Sequence, residues 1–438
     1  MKLRKRFFQL HSWIGTRLSI LFFIVCFSGT LATLSNEMDW LFFPEIRAES
    51  QPELASENTI VRNLRKEFPE GKIQYWDRKE EPYLCDIIYV GNKGRRTYVF
   101  ANPYTGEIQG STQLTFQRFF RDLHYYLFIP FQIGHFTVLT FGFLLLLSLI
   151  TALYFYKKWW RKLFELQTGK GRLVLFRSLH RLVGLWSIPF TLILSLTGVW
   201  YFMERSNIGG ISDIGNPSSP EIPKEAVDVP KEDDLSYTID YDRALAIAEE
   251  EISEIKAGTI LPPSSWNRPI YITGKSDVPL VRERANRVYI DPLSYKTVKV
   301  QRAEEIGMAM WLNDIADPLH FGNWGGLVTK VIYFLAGLSI SGLVLTGIWI
   351  ALKRQALKRK KKRKPVMGIW RYINWSIFLI FLGFMYYILI TRYFISNQAL
   401  MVISSGWVLF VFFAVYIFQI RLHQSLSKED EKKFAKKR

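Results

Sequence analysis

Two histidines in this chain are each followed, at identical spacing, by the same two glycines, and each set opens a long apolar run. The two sets are His11, Gly15 and Gly29, and His180, Gly184 and Gly198. The distal glycine follows its histidine by 18 residues, which is about five turns of an α-helix. The spacing therefore predicts that each histidine and its distal glycine lie on one helix face.

A second repeated set lies after each of two long polar segments. It consists of Asp122, His124, Gly142 and Thr151, repeated as Asp317, His320, Gly337 and Thr346, with Pro318 as an insertion. Four of the six histidines thus occupy repeated positions. Two lie at one end of the apolar runs and two at the other.

This placement predicts metal ligation. A six-coordinate b-type haem needs two neutral imidazoles on opposite sides of the ring, held by helices that face each other. A metal-bound neutral imidazole also leaves no uncompensated charge in an apolar bundle. We therefore predict two haems b, with His11 and His180 as ligands to one iron and His124 and His320 as ligands to the other.

The repeated glycines have two interpretations, clearance for the macrocycles or close contact between helices. They are Gly15, Gly29, Gly142, Gly184, Gly198 and Gly337.

His135 is the alternative outer ligand, because it follows His124 by eleven residues. It has no counterpart, since Lys330 occupies the corresponding place. A single histidine at the end of a membrane span is more often an interfacial residue than a ligand, and duplication preserves a structural histidine as readily as a functional one. His423, in the basic tail, is expected to be solvated.

Composition indicates a polytopic membrane protein. The chain has 438 residues, 49% of them hydrophobic, with several apolar runs of about 20 residues. The net charge of +18 does not indicate nucleic-acid binding, because basic residues crowd the N-terminus, the 157–177 connection and the block 358–364, whereas the acidic residues concentrate in the two long polar segments. The positive-inside rule makes these basic segments and both termini cytoplasmic, and the 358–364 block is expected to touch anionic lipid. The N-terminus also resembles a cleaved signal peptide, but it repeats the third span, which cannot be cleaved.

The predicted fold class is an α-helical polytopic membrane protein, in which a tandem repeat forms a four-helix haem-binding bundle and a two-helix hairpin follows. The predicted spans are 1–34 with the cytoplasmic N-terminus, 124–156, 182–203, 320–352, 372–395 and 400–420. The predicted extracytoplasmic α+β domains are 35–123 and 204–319. The predicted cytoplasmic segments are 157–181, the basic loop 353–371 and the tail 421–438.

Both outer segments have a helical pattern followed by β-rich runs. The predicted helices are 56–68 and 240–255, and the predicted strands are 72–76, 84–90 and 97–101 in the first segment and 269–273 and 286–291 in the second. The last strands end in the turn sequences NPYTG and DPLS.

Two kinds of motif carry a resemblance to a known family. The runs YVFANPYTGEI and VYIDPLSYKTV resemble the PepSY domain, and the spans that open with LHSWIG and LHRLVGLW resemble the PepSY-associated transmembrane helix family of bacterial inner-membrane proteins. The resemblance covers residues 5–352 and leaves out the last two spans. The second copy departs from the pattern, with Lys296 where the first has Gly106.

The resemblance implies a function. Some members are di-haem b-type reductases of periplasmic ferric siderophores in iron uptake, and His11, His180, His124 and His320 match their histidines. The chain has no GxGxxG, Walker A or HExxH motif and no cytoplasmic segment long enough for a flavin or nicotinamide domain. We therefore expect a quinol or a partner protein as electron donor.

The electron exit is predicted at an aromatic surface formed by the PepSY-like domains and by residues 125–131 and 321–324. The rival interpretation is a haem-free PepSY membrane protein that binds a peptide, protease or envelope partner.

Overall fold

The computed structural model describes residues 2–92, 94–223, 235–253, 255–358 and 367–421. The helices are α1 Lys2–Arg17, α2 Ser19–Ala32, α3 Ser35–Phe42, α4 Glu57–Glu67, α5 Phe116–Tyr126, α6 Phe131–Phe155, α7 Arg172–Trp186, α8 Ile188–Arg205, α9 Ile211–Gly215, α10 Leu235–Thr238, α11 Tyr241–Glu251, α12 Met308–Asp314, α13 Ala316–Phe321, α14 Gly326–Lys358, α15 Ile369–Thr391 and α16 Asn397–Val415. The strands are β1 Lys72–Asp77, β2 Asp86–Asn92, β3 Arg95–Ala101, β4 Ile108–Thr112, β5 Lys256–Leu261, β6 Ile270–Lys275, β7 Asn286–Ile290 and β8 Thr297–Gln301. His423 and, apart from Lys358, the basic block 358–364 lie outside the described residues.

Four helices are long and apolar enough to cross a membrane: α6, α14, α15 and α16. Two bent pairs, α1 with α2 and α7 with α8, meet the same criterion together, with bends of 76° and 64°. If each bent pair is one span, the described chain has the six spans that the sequence predicts. The chain is therefore a polytopic membrane protein.

The bends correct the prediction that spans 1 and 3 are continuous helices. The first bend lies at Leu18, whose φ of −110° and ψ of 41° are not helical. The second lies at Ser187, directly before a helix with proline in its first turn, and proline removes a backbone N–H that a continuous helix would use. Because each histidine precedes its bend and each distal glycine follows it, they do not share a helix face as predicted.

The bend at Leu18 is stabilised by a side chain from α15. Asn374 Nδ2 donates to the Arg17 carbonyl at 2.5 Å, and Asn374 Oδ1 accepts from the Ile20 backbone N–H at 3.2 Å. A break in a helix leaves backbone groups that have no partner in an apolar environment. The hairpin after the repeat thus satisfies backbone groups in the first span.

The outer histidines lie on short helices ahead of the long apolar helices, at the start of the predicted segments 124–156 and 320–352. His124 belongs to α5 and His320 to α13. The chain reverses between α5 and α6 at Leu127 and Phe128, which have φ values of 56° and 51°, and it leaves α13 at Gly322 with φ of 68°.

The outer segments form one eight-stranded antiparallel sheet, with the order β4-β3-β2-β1-β5-β6-β7-β8. The sequence predicted two domains, but β1 and β5 pair at Trp76 with Ile260 and Asp77 with Thr259, so the two halves join. Strands β4, β5 and β8 were not predicted. The helices α4 and α11 cover one face and build its core with residues such as Leu64 and Tyr241.

Candidate metal-binding histidine pairs

The inner pair brings His11 of α1 against His180 of α7. The two ring centroids are 6.4 Å apart, with an angle of 78° between the ring planes. His11 Nδ1 lies 3.0 Å from the Ser148 carbonyl oxygen, and His180 Nδ1 lies 2.9 Å from Thr346 Oγ1. Helix α6 therefore orients one ring and helix α14 the other.

The outer pair brings His124 against His320. Their ring centroids are 6.1 Å apart, with 31° between the planes. His124 Nδ1 lies 2.9 Å from the Val25 carbonyl oxygen in α2, and His320 Nδ1 lies 2.7 Å from Thr197 Oγ1 in α8. The sequence-predicted pairing of the four histidines is thus the pairing that the fold brings together.

The hydrogen bonds to carbonyl groups determine the tautomer of two rings. A carbonyl oxygen only accepts, so His11 Nδ1 donates its proton to Ser148 and His124 Nδ1 donates to Val25. In a neutral imidazole the other nitrogen, Nε2, then carries the free lone pair that a metal requires.

The hydroxyl groups lead to the same tautomer in the other two rings. Thr346 Oγ1 and Thr197 Oγ1 each donate their only proton to the carbonyl four residues earlier, at 2.8 Å. They can therefore only accept from His180 Nδ1 and His320 Nδ1. In the described part of the chain, no hydrogen bond reaches Nε2 of any of the four rings.

Electrostatics keep the outer rings neutral. Burial lowers the pKa of His124. Burial, together with the neighbouring His124 ring, lowers the pKa of His320 to about 3. Since a metal binds the neutral imidazole, both outer rings are in the protonation state that ligation needs.

The spacing within each pair can be compared with that of two imidazoles on one metal ion. A metal–imidazole bond of about 2.0–2.1 Å plus about 1.1 Å from Nε2 to the ring centroid puts two opposite centroids about 6.3 Å apart. The observed separations are 6.4 and 6.1 Å. Among the described residues, no group of three or more His, Cys, Asp or Glu is placed to hold a metal ion. Each pair thus has room for two imidazoles on one metal ion, and the described residues supply two ligands to each such position.

The repeated glycines divide by what surrounds them. A Cβ on Gly29 would lie 2.7 Å from Cε1 of His124, so this glycine makes room for the outer ring. A Cβ on Gly142 would lie 3.0 Å from the backbone of Gly198, and one on Gly337 would collide with the Thr30 hydroxyl. Gly142, Gly198 and Gly337 thus permit the contacts of α6 with α8 and of α14 with α2.

The remaining two repeated glycines have space beside them. A Cβ on Gly15 would have no described atom within 4 Å, and one on Gly184 would lie 3.8 Å from Leu343. Sequence reasoning missed Gly347, where a Cβ would lie 3.3 Å from Cε1 of His180.

Sequence reasoning also missed the groups that orient the rings. Thr346 belongs to the repeat, and its counterpart Thr151 lies 3.5 Å from His11 Nδ1. The repeated threonines could therefore have indicated the residues that orient the inner rings. Thr197 directly precedes a repeated glycine. Ser148 and the Val25 carbonyl carried no signal in the sequence.

His135, the alternative ligand, lies apart from both pairs. Its Nδ1 is 3.0 Å from the Tyr125 carbonyl oxygen, and its ring stacks on Phe131 at a centroid distance of 5.3 Å. Its counterpart Lys330 binds Glu37 and Glu81 at 3.0 and 2.5 Å. The two positions therefore serve local packing and an ion-pair network.

The repeated aspartates fix the short helices that carry the outer histidines. Asp122 forms an ion pair with Arg118 at 3.2 Å. Asp317 accepts from the Tyr201 hydroxyl at 2.6 Å and pairs with Arg282 at 2.8 Å. Each aspartate lies two or three residues before its histidine, so these bonds restrict the position of the ring.

The two segments predicted to form the electron exit are only partly exposed. Leu127 and Phe128 are 1% and 0% exposed, because they pack against α15 and the first span. Phe321 and Trp324 are about half exposed. The segment 125–131 is therefore in part a core element, and the segment 321–324 is the more accessible of the two.

The architecture defines a polytopic membrane protein with an outer antiparallel sheet and two opposed histidine pairs. The sequence model of the PepSY-associated TM region matches residues 8–354, and the chain belongs to this family. No curated protein matches the chain. The family match ends before α15.

Proposed function

We propose that the chain is an inner-membrane di-haem b-type electron-transfer protein, which reduces a periplasmic ferric siderophore or other ferric chelate. The observation that supports this most strongly is the geometry of the two histidine pairs. Each pair has a centroid spacing close to that of two ligands on one metal. Each Nδ1 has a hydrogen-bond partner, whereas no hydrogen bond among the described residues reaches an Nε2.

His11 and His180 would hold one haem, and His124 and His320 the other. When bound, the haems supply one-electron redox chemistry. The chain's own contribution is to keep all four rings oriented, through the Nδ1 hydrogen bonds. Removal of a hydrogen-bond partner of a metal-binding histidine typically changes metal affinity or activity by about 10–100-fold.

The two pairs lie near opposite membrane faces. On α6, Ser148 contacts the inner pair, and the helix begins at Phe131, just after the helix that carries His124. These 17 residues span about 26 Å at about 1.5 Å per residue, close to the thickness of a hydrocarbon core of about 30 Å. Electrons that enter from a quinol or a partner protein on the cytoplasmic side would thus leave near the outer sheet.

The direction proposed for electron transfer across the membrane rests on the charge pattern. The basic segments at 2–6 and 157–162 support a cytoplasmic location for both termini by the positive-inside rule, and the sheet would then lie in the periplasm. Reduction there suits iron release, since ferric iron favours hard oxygen ligands and ferrous iron binds them less tightly.

The test is reoxidation of the purified, reduced protein by ferric citrate, which is anionic, and by a ferric trihydroxamate. We expect the haem bands to reoxidise faster than in buffer alone. His124→Ala and His320→Ala should each slow this reaction, whereas the matched control His135→Ala should not. If His135→Ala abolishes the outer haem and His124→Ala leaves it intact, the ligand assignment is wrong. If no ferric chelate accelerates reoxidation, the proposed substrate class is wrong.

A further inference from the structure

A basic pocket lies between the outer sheet, α5 and the end of α15. It has a volume of about 360 Å³. Five cationic residues and one glutamate line it: Lys72, Arg95, Arg96, Arg118, Arg392 and Glu70. This excess of positive charge around a concave space is the electrostatic environment that an anion requires.

Four separate parts of the chain supply the charges, and Lys72 comes from β1. Arg95 and Arg96 follow the β2–β3 turn at Gly94, whose φ of 81° suits glycine. Arg118 comes from α5, and Arg392 caps α15. A pocket assembled from distant segments in this way depends on the complete fold.

Most of the guanidinium groups have no acidic partner. Arg118 pairs with Asp122, but no carboxylate of the described residues forms an ion pair with Arg95, Arg96 or Arg392. Arg95 stacks on the Phe394 ring at 4.4 Å. This stacking fixes its position without neutralising its charge.

The hydroxyl of Tyr98 lies among the cations of the pocket. Tyr98 lines the pocket and is 2% exposed, and its hydroxyl interacts with the Arg96 guanidinium. A guanidinium only donates hydrogen bonds. The hydroxyl proton of Tyr98 is therefore available to a ligand oxygen.

The pocket adjoins the outer histidine pair. Arg118 precedes His124 by six residues on α5, about 9 Å along the helix axis. Tyr393, which follows α15 and also lines the pocket, accepts from Arg118 at 2.9 Å and donates to Asp122. A molecule held here would lie beside the helix that carries an outer ligand.

We propose that this pocket is the binding site for the ferric chelate, and that it selects chelates of net negative charge with oxygen-rich aromatic donor groups, such as catecholates. This inference rests on the proposed function. Five cations on four segments, with Tyr98 and Tyr393 also lining the pocket, match a large polyanion better than a single lipid phosphate. The hairpin α15–α16, outside the family match, would then contribute to substrate selection.

The test measures binding without redox chemistry. The full-length protein is titrated with two gallium(III) chelates, a tris-catecholate, which is anionic, and a trihydroxamate, which is not. Gallium(III) is not reduced by haem, so binding is independent of electron transfer. For the double variant R95Q/R392Q we expect about a tenfold loss of affinity for the anionic chelate, with little change for the other. Tyr98→Phe should reduce affinity for the anionic chelate without loss of thermal stability.

The matched control is Arg62→Gln, on the opposite face of the sheet, which should leave both affinities unchanged. If R95Q/R392Q behaves like this control, the pocket proposal is wrong even where ferric chelates reoxidise the haems. If the double variant instead loses co-purified anionic phospholipid and keeps its chelate affinity, the pocket binds a lipid headgroup and the proposal is also wrong. If the anionic gallium chelate binds as expected but the protein carries no haem, the proposed function fails and the pocket stands.

Discussion

Gly29→Ala should disturb the outer histidine pair. A Cβ on this residue would lie 2.7 Å from Cε1 of His124, whereas carbon atoms in contact lie about 3.5–4.0 Å apart. The ring must therefore move by about 0.8 Å or more. A metal–ligand distance tolerates only about 0.2 Å, so we expect loss of low-spin character in the outer haem.

The change in the free energy of unfolding should differ between Gly29 and the matched control Gly383 on α15. Replacing glycine by alanine within a helix stabilises it by about 1 kcal/mol, and Gly383 has no described atom within 4 Å of its Cβ position. Gly383→Ala should therefore keep or raise the melting temperature. At Gly29 the steric clash costs about 1–3 kcal/mol, which cancels or exceeds this gain.

The assay records absorption spectra and thermal melting of the two variants side by side in one detergent. We expect Gly29→Ala to show high-spin haem or reduced haem content, and Gly383→Ala to resemble the parent protein. If the two variants are indistinguishable in both measurements, the assignment of Gly29 as the residue that makes room for His124 is refuted.

Two further predictions concern stability. Asn374→Leu should lower the melting temperature by several degrees, because it removes the partners of the Arg17 carbonyl and the Ile20 N–H at about 1–3 kcal/mol each. The control Asn397→Leu, at an exposed position, should not lower it. Equal effects of the two changes would contradict the role of Asn374. Burial and nearby carboxylates raise the pKa of Glu283 to about 7, so the folded protein binds this proton more tightly than the unfolded chain. The contribution of Glu283 to stability should then fall between about pH 4.5 and 7, by at most about 3 kcal/mol. Chemical denaturation across this range should show less pH dependence in Glu283→Gln, and an unchanged profile would refute the shift.

The sequence predicted the histidine pairs because a repeat is visible without any knowledge of the fold. His11 and His180 lie far apart in the chain but have equivalent surroundings, and this equivalence indicates that they face each other. The last two spans were also predictable, since 372–395 and 400–420 correspond to α15 Ile369–Thr391 and α16 Asn397–Val415. Uninterrupted apolar runs leave few alternatives in a membrane.

The bend at Leu18 could not be predicted, because its cause is distant. Asn374, which satisfies the broken backbone, lies more than 350 residues away, and residues 16–20 contain neither proline nor glycine. The same limit applies to Val25, whose carbonyl orients His124. A backbone group has no sequence signature, so only the packing of α5 on α2 reveals it.

The outer sheet was underestimated for a related reason. Strands β4 and β8 form its two edges, and each leaves much of its length accessible, so neither shows the buried alternation that identifies a strand. Strand β5 includes Gly258 and follows a helix closely. Its pairing with β1 joins two halves of the sheet, and such long-range pairing depends on tertiary contacts.

The most direct test of the account is the reduced-minus-oxidised absorption spectrum of the purified full-length protein, combined with haem quantification. The account predicts about two b-type haems per chain, with the α-band of low-spin, bis-histidine iron. Because the chain has no CxxCH motif, acid-acetone should extract the haem. His11→Ala and His180→Ala should remove the same haem and spare the other. Protein that shows no Soret band after expression with ample haem would contradict the account and favour a haem-free binding function.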